Sequence, residues 1–183
     1  MKKQNLNFKV ITTGDGGVGK TTFLKRYSTN RFEEDTKITI GADFFSKTIE
    51  LEEYSINMII WDFTGQERFR FILDSYAEGA KGAFFMVDLN NILRSLKSMG
   101  SWMKIIKRYE DIPVLLVGTK SDLIERDPQS YNLHKDLISQ IREKYKFIDF
   151  FTTSSKSGEN VNEAVENLIN HILVNAGLKS EKN

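Results

Sequence analysis

Apolar and polar positions in this chain fall into six short runs of strand period, separated by stretches of helical period. The candidate strands are residues 9–13, 44–51, 56–62, 83–87, 114–117 and 147–152. Four of them are nearly continuously apolar, the pattern of parallel strands covered on both faces. Residues 44–51 alternate instead, with Phe45, Ile49 and Leu51 set against Ser46, Thr48 and Glu50. That predicts an edge strand with one wetter face. Only Glu52-Glu53-Tyr54-Ser55 joins it to the next run, too short a link for a parallel crossover, so this pair is predicted to be antiparallel.

Helical periods lie between the strands. Leu133, Leu137, Ile141 and Tyr145 recur every four residues, and Met99, Met103, Ile106 and Tyr109 share one helical face. Val161, Val165, Leu168 and Ile172 mark a last helix, with Ser157-Gly158-Glu159-Asn160 as its start signal. These methionines and aromatics read as core. Pro113 and Pro128 sit at element boundaries, and no repeat, linker or low-complexity segment interrupts the alternation. The order predicts one doubly wound α/β domain over residues 1–183: a mostly parallel six-stranded sheet, one antiparallel edge strand and helices on both faces. The polar ends, residues 1–7 and 177–183, are expected to fray.

Composition narrows the function by exclusion. Lys+Arg number 26 and Asp+Glu 25, a net charge of +1 that gives no case for nonspecific nucleic-acid binding. Cysteine is absent, so there is no disulfide, no thiolate metal site, no cysteine nucleophile and no residue to prenylate or palmitoylate. Position 2 is lysine, which excludes myristoylation, and no apolar run suits a secretory signal or a bilayer span. The expectation is a cytoplasmic protein without a direct lipid anchor. It would reach membranes only peripherally, through partners or through a tail absent from this sequence. His134 and His171 fall on predicted helices without metal-spaced partners and are read as structural.

The chemistry begins at Gly14-Asp15-Gly16-Gly17-Val18-Gly19-Lys20-Thr21, which fits G-x-x-x-x-G-K-[ST] between a strand and a helix. Its glycines let the backbone wrap around phosphates with several N–H groups pointing inward, and the following helix N-terminus, with Thr22, adds to that field. Lys20 is placed to reach β- and γ-phosphates, and the Thr21 hydroxyl to ligate Mg²⁺.

Two further constellations end later strands. In Trp61-Asp62-Phe63-Thr64-Gly65-Gln66-Glu67, Asp62 can reach Mg²⁺ through a water, Gly65 can offer its N–H to a γ-phosphate, and Gln66 can orient an attacking water. In Gly118-Thr119-Lys120-Ser121-Asp122, the Asp122 carboxylate can accept from guanine N1–H and N2–H₂, a donor pair that adenine lacks. The Lys120 stem can lie along the purine face. Ser154-Ser155-Lys156 follows the last strand, where the Ser155 N–H can donate to guanine O6.

These motifs in this order resemble the Ras superfamily of small GTPases from about Phe8 to Ala176. The sequences Thr39-Ile40-Gly41-Ala42-Asp43-Phe44 and Gly65-Gln66-Glu67-Arg68-Phe69 are most similar to its Rab branch. The resemblance implies that the Thr39 hydroxyl binds Mg²⁺ and its N–H holds the γ-phosphate. It also implies that Phe32 packs edge-on against guanine, and that Phe44, Trp61 and Tyr76 form a hydrophobic triad facing effectors. Plain core packing is the competing reading of those three. The chain departs from the family in having Phe63-Thr64 before Gly65, Thr119 for asparagine, Ser155 for alanine, and an added apolar Phe71. The long variable tail with prenylated cysteines is missing.

The expected activity is GTP hydrolysis to GDP and phosphate. Lys20 and the loop N–H groups would stabilise the developing charge, and Gln66 would position water. Thr39 and Gly65 would be released once the γ-phosphate leaves. Turnover is expected to be slow without an activating protein, and effectors and a nucleotide exchange factor are expected partners. Two alternatives stand beside this. One is a hydrolysis-deficient guanine-nucleotide-binding module whose water site is blocked by Thr64. The other is an ATPase or small-molecule kinase, against which the Thr119–Asp122 and Ser154–Lys156 stretches argue.

Overall fold

A computed structural model of the chain describes residues 3–33, 39–108, 111–126 and 128–179. The strands are β1 (Gln4–Thr13), β2 (Ala42–Glu50), β3 (Tyr54–Phe63), β4 (Gly82–Asp88), β5 (Val114–Thr119) and β6 (Phe150–Thr152). The helices are α1 (Lys20–Thr29), α2 (Arg70–Tyr76), α3 (Ile92–Leu96), α4 (Met99–Ile106), α5 (Pro128–Tyr145) and α6 (Val161–Asn175). Short 3₁₀ turns occupy Glu67–Phe69, Leu89–Asn91 and Ser121–Arg126.

The sheet runs β2-β3-β1-β4-β5-β6, with every neighbouring pair parallel except β2 and β3. The link after β2 is only three residues, 51–53, which permits only the antiparallel pairing, and the alternation predicted for the edge strand is present. Phe45, Lys47 and Ile49 are partly covered while Ser46, Thr48 and Glu50 are exposed. In the central strands successive side chains enter opposite layers. Phe84, Met86, Leu115 and Val117 pack with α1 and α6, whereas Phe85, Val87, Val114 and Leu116 pack with the layer of α2 to α5. Continuous apolar runs therefore serve two cores at once.

Three expectations change in detail. Residues 4–7 do not fray, because β1 pairs with β3 from Gln4↔Tyr54 onward, through backbone bonds indifferent to polar side chains. At the other end the Tyr54 hydroxyl donates to the Leu178 carbonyl at 2.8 Å, and Leu178 packs on the core. Residues 1, 2 and 180–183 lie outside the described residues. The last strand begins at Phe150 rather than 147: Phe147 N–H donates to the Arg142 carbonyl across a left-handed Lys146 (φ 55°), so residues 146 and 147 close α5 instead. Asn160 precedes α6 but does not cap it through its side chain; its amide donates to the Thr152 carbonyl at 2.8 Å. The α4 face buries Met99, Met103 and Ile106 as expected, together with Trp102, which is fully enclosed. Tyr109 and the Leu133 side chain lie outside the described residues.

Candidate nucleotide-binding site

The carboxyl ends of β1, β3, β5 and β6 lie along one edge of the sheet, and the loops leaving them surround a groove of about 580 Å³. Gly16, Gly17, Gly19, Lys20, Thr21 and Thr22 form one wall, with Phe32 and Thr39 beside them. Thr64, Gly65 and Gln66 enter from the β3 loop, Thr119, Lys120 and Asp122 from β5, and Ser155 and Lys156 from β6. Phe63 and Leu123 also line it, two apolar residues whose part in the wall the sequence did not signal.

Gly14, Asp15, Val18, Asp62 and Ser154 stand one layer behind. Gly14 holds φ 129°, and a Cβ there would sit 2.4 Å from the Met86 carbonyl oxygen, so the first bend of the loop excludes any side chain. Val18 is buried in the α1 core, and its carbonyl accepts from the Thr119 hydroxyl, which also lies 3.0 Å from the Val87 carbonyl. Thr119 thus pins the phosphate loop to β4 and β5. Asp15 turns its carboxylate away from the groove, toward Ser98 and Arg70.

At the phosphate end, the Lys20 ammonium donates to the carbonyls of Gly14 (2.9 Å) and Asp15 (2.8 Å) and is almost fully enclosed. Burial lowers its pKa to about 8, against the raising influence of Asp62 and Asp15. Asp62 is completely buried, and that desolvation raises its pKa, opposed by hydrogen bonds from Thr21, Thr39 and Thr12 and by the charge of Lys20. The Thr21 and Thr39 hydroxyls reach Asp62 Oδ2 at 2.5 and 3.2 Å and lie 2.9 Å from each other, while Thr12 reaches Oδ1 at 3.3 Å. Two hydroxyls and a carboxylate converging this closely form an all-oxygen donor set. It suits a small hard cation such as Mg²⁺, whose shell is completed by water and phosphate oxygens. Among the described residues no cluster of three His, Cys, Asp or Glu offers a competing site.

The loop after β3 lies directly on the phosphate loop. A Cβ on Gly65 would meet the Gly16 nitrogen at 2.1 Å and the Asp15 carbonyl carbon at 2.2 Å, so only glycine permits this approach. Thr64 is buried, and its N–H donates to the Gly41 carbonyl at 2.9 Å. Its hydroxyl accepts from the Gln66 N–H at 3.3 Å, and the Gln66 side-chain oxygen accepts from Arg68 Nε at 2.9 Å.

At the far end, Ser154 Oγ donates to Asp122 Oδ1 at 2.6 Å. Lys120, in a left-handed conformation (φ 62°), donates to the Gly17 carbonyl at 2.9 Å and to Asp88 Oδ2 at 2.7 Å. Its stem therefore crosses the groove floor between the two loops. Beyond the groove, the rings of Phe44, Trp61 and Tyr76 form a surface row, with centroids 6.2 and 5.4 Å apart. Phe44 and Tyr76 are 63% and 39% exposed, too open for simple core packing, and Lys9 Nζ lies 4.9 Å from the Trp61 ring.

A parallel sheet with a glycine-rich loop between β1 and α1, and a groove at its carboxyl edge, defines a phosphate-loop nucleotide-binding domain. A family model described as the Ras family matches residues 9–174, and the chain belongs to that family. It is a small GTPase, similar to Rab proteins. It is 36% identical to Ras-related protein Rab-11C of Dictyostelium discoideum, over 90% of this chain and 72% of that protein. It is 37% identical to the GTP-binding protein ypt1 of Schizosaccharomyces pombe, over 86% of this chain and 75% of that protein. With Ras-related protein Rab-13 of Bos taurus the identity is 35%, over 96% and 85%. No helix among the described residues is long and apolar enough to cross a membrane.

Proposed function

We propose that this GTPase is a Mg²⁺-dependent molecular switch whose GTP-bound form is read by effector proteins, most simply in membrane trafficking, as its likeness to Rab proteins suggests. One observation carries the reading: Thr21 from the phosphate loop, Thr39 from the segment before β2, and Asp62 from β3 meet at a single point. Mg²⁺ there would neutralise charge between the β- and γ-phosphates, with Thr21 and Thr39 as ligands and Asp62 reached through water. The chain's own groups do the rest. Inward N–H groups of the loop and Lys20 hold the phosphates and stabilise the charge that grows on the leaving oxygen. The Gly65 N–H meets the γ-phosphate, and Gln66 orients water in line with the scissile bond.

Asp122 accepts from the guanine edge, the Ser155 N–H donates to O6, and Phe32 with the Lys120 stem flanks the ring. Because Thr39 and Gly65 both depend on the γ-phosphate, its loss frees the segments on either side of the Phe44–Trp61–Tyr76 row. A Cβ at Gly16 would meet nothing within 4 Å, which leaves room for a side chain supplied by an activating protein. Exchange factors would act on the same loops, and membrane association would be peripheral.

Thr64 favours a second reading. It lines the groove, and its hydroxyl accepts from the Gln66 backbone N–H, so its side chain stands beside Gln66 where it would block the water site. Hydrogen exchange of the full chain, loaded with GDP or with a non-hydrolysable GTP analogue, tests the switch. Added protection at residues 39–41 and 64–69 in the analogue-bound form is expected. Equal protection in the two forms would refute a nucleotide-dependent switch.

A further inference from the structure

A loop built to attract anions carries a carboxylate of its own, Asp15, between Gly14 and Gly16. Its backbone carbonyl lies against Gly65, at the end of the groove where the proposed function puts the third phosphate. Its side chain is only 21% exposed, so water screens the charge incompletely. The carboxylate accepts from the Ser98 hydroxyl at the start of α4 and faces the Arg70 guanidinium, with Nη2 at 3.4 Å.

Arg70 is the first residue of α2, and its side chain is 15% exposed. Nη1 donates to Ser101 Oγ at 2.8 Å, and the guanidinium lies 5.1 Å from the Trp102 ring centre. Ser101 and the Trp102 face fix its direction and leave its charge for Asp15. Glu67 also stands 3.6 Å from Nη1, but its side chain is 87% exposed, so solvent screens it and Asp15 is the inner partner. Lys20 meets the same stretch from the groove side through the carbonyls of Gly14 and Asp15.

From this geometry we propose that Arg70 is the counter-ion of the phosphate loop's own carboxylate, and that it thereby sets how strongly the groove prefers a nucleoside triphosphate over the diphosphate. The inference rests on the guanine-nucleotide reading above and adds a specificity-determining residue to it. With Arg70 present, Asp15 contributes little field at the third phosphate. Without it, the carboxylate loses its direct ion-pair partner and only Lys20 offsets its charge, so a net negative field reaches the site that receives the additional phosphate. A single charge at about 10 Å in an intermediate dielectric, partly screened by salt, corresponds to about a fivefold change in affinity ratio. The sign is definite: the triphosphate loses more than the diphosphate, and removing Asp15 as well cancels the effect.

The test measures affinities of the full chain for GDP and a non-hydrolysable GTP analogue, at fixed Mg²⁺ and at low and raised salt. Arg70→Met keeps a flexible apolar chain against Trp102 and is expected to lower the triphosphate-over-diphosphate preference about fivefold, less so at raised salt. Arg70→Lys is expected to keep most of the preference. Asp15→Asn, which retains an acceptor for Ser98, is expected to hold or raise it, and Asp15→Asn combined with Arg70→Met to return within about twofold of the unsubstituted chain. An unchanged ratio in Arg70→Met, a double variant as impaired as Arg70→Met alone, or a lowered ratio in Asp15→Asn would overturn the proposal. If Arg70→Met fails to fold, the Asp15→Asn and Arg70→Lys ratios decide it. Failure of the underlying reading is separately visible, since the unsubstituted chain would then bind neither nucleotide.

Discussion

The Ser154 hydroxyl donates to Asp122 Oδ1 at 2.6 Å, so the loops after β5 and β6 hold one carboxylate between them. That hydrogen bond fixes the orientation of the acceptor proposed to read the guanine edge. Asp122→Asn replaces an acceptor with a donor, and is expected to lower GTP affinity by about a hundredfold or more while raising affinity for XTP. Ser154→Ala leaves the carboxylate in place but unsteadied, and should weaken GTP by about tenfold without conferring XTP binding. Competition binding with the two nucleotides measures both. Retained GTP preference in Asp122→Asn would remove Asp122 from its assigned role.

Gln66 sits at the groove with its side-chain oxygen bonded to Arg68 Nε. In the proposed role it turns toward the attacking water. Gln66→Leu should slow single-turnover hydrolysis about tenfold or more and leave the GTP dissociation constant within about twofold, because the side chain acts only in the transition state. An unchanged hydrolysis rate would count against the assignment.

Thr64 separates the two readings of the water site. The switch account predicts that Thr64→Ala changes the single-turnover rate by less than about threefold, since the Gln66 N–H it frees can bond to water instead. A rise of about tenfold would favour the reading in which threonine obstructs hydrolysis. Rapid-quench measurement with preloaded GTP reads the difference directly.

Gly65→Ala introduces a Cβ 2.1 Å from the Gly16 nitrogen, a contact that only separation of the two loops relieves. Hydrolysis is expected to fall at least about tenfold and GTP-dependent protection at residues 64–69 to be lost, while the rest of the fold stays intact. Far-UV circular dichroism together with hydrogen exchange checks both parts. Normal protection in this variant would mean that Gly65 does not close on the phosphate loop.

The central architecture was legible because its signals are local. Continuous apolar runs identified β4 and β5, alternation identified β2 as an edge, and a four-residue link required its antiparallel pairing. The four loops were legible because each pairs a strand end with residue types that phosphate or guanine demands. What escaped was of three kinds. Gln4 to Asn7 look like a polar tail, yet they pair through the backbone with β3, and Asn57 even donates to Asn7 Oδ1 at 3.1 Å. Side-chain polarity carries little information about such pairing. The Asp15–Arg70–Ser98 cluster joins positions 55 and 83 residues apart along the chain, and no periodicity reports on it. The early start expected for β6 failed because Phe147 serves an apolar core equally well from a helix-closing turn.

The convergence of the four loops after β1, β3, β5 and β6 on one magnesium-bound guanine nucleotide is the claim on which the rest depends. Its most direct test is to purify the full chain without added nucleotide, identify what co-purifies, and challenge it with GTP, ATP and EDTA in turn. The account predicts an equimolar guanine nucleotide, displaced by GTP but not by ATP, and released rapidly when EDTA removes Mg²⁺. Displacement by ATP as effective as by GTP, or guanine-nucleotide binding indifferent to EDTA, would contradict it.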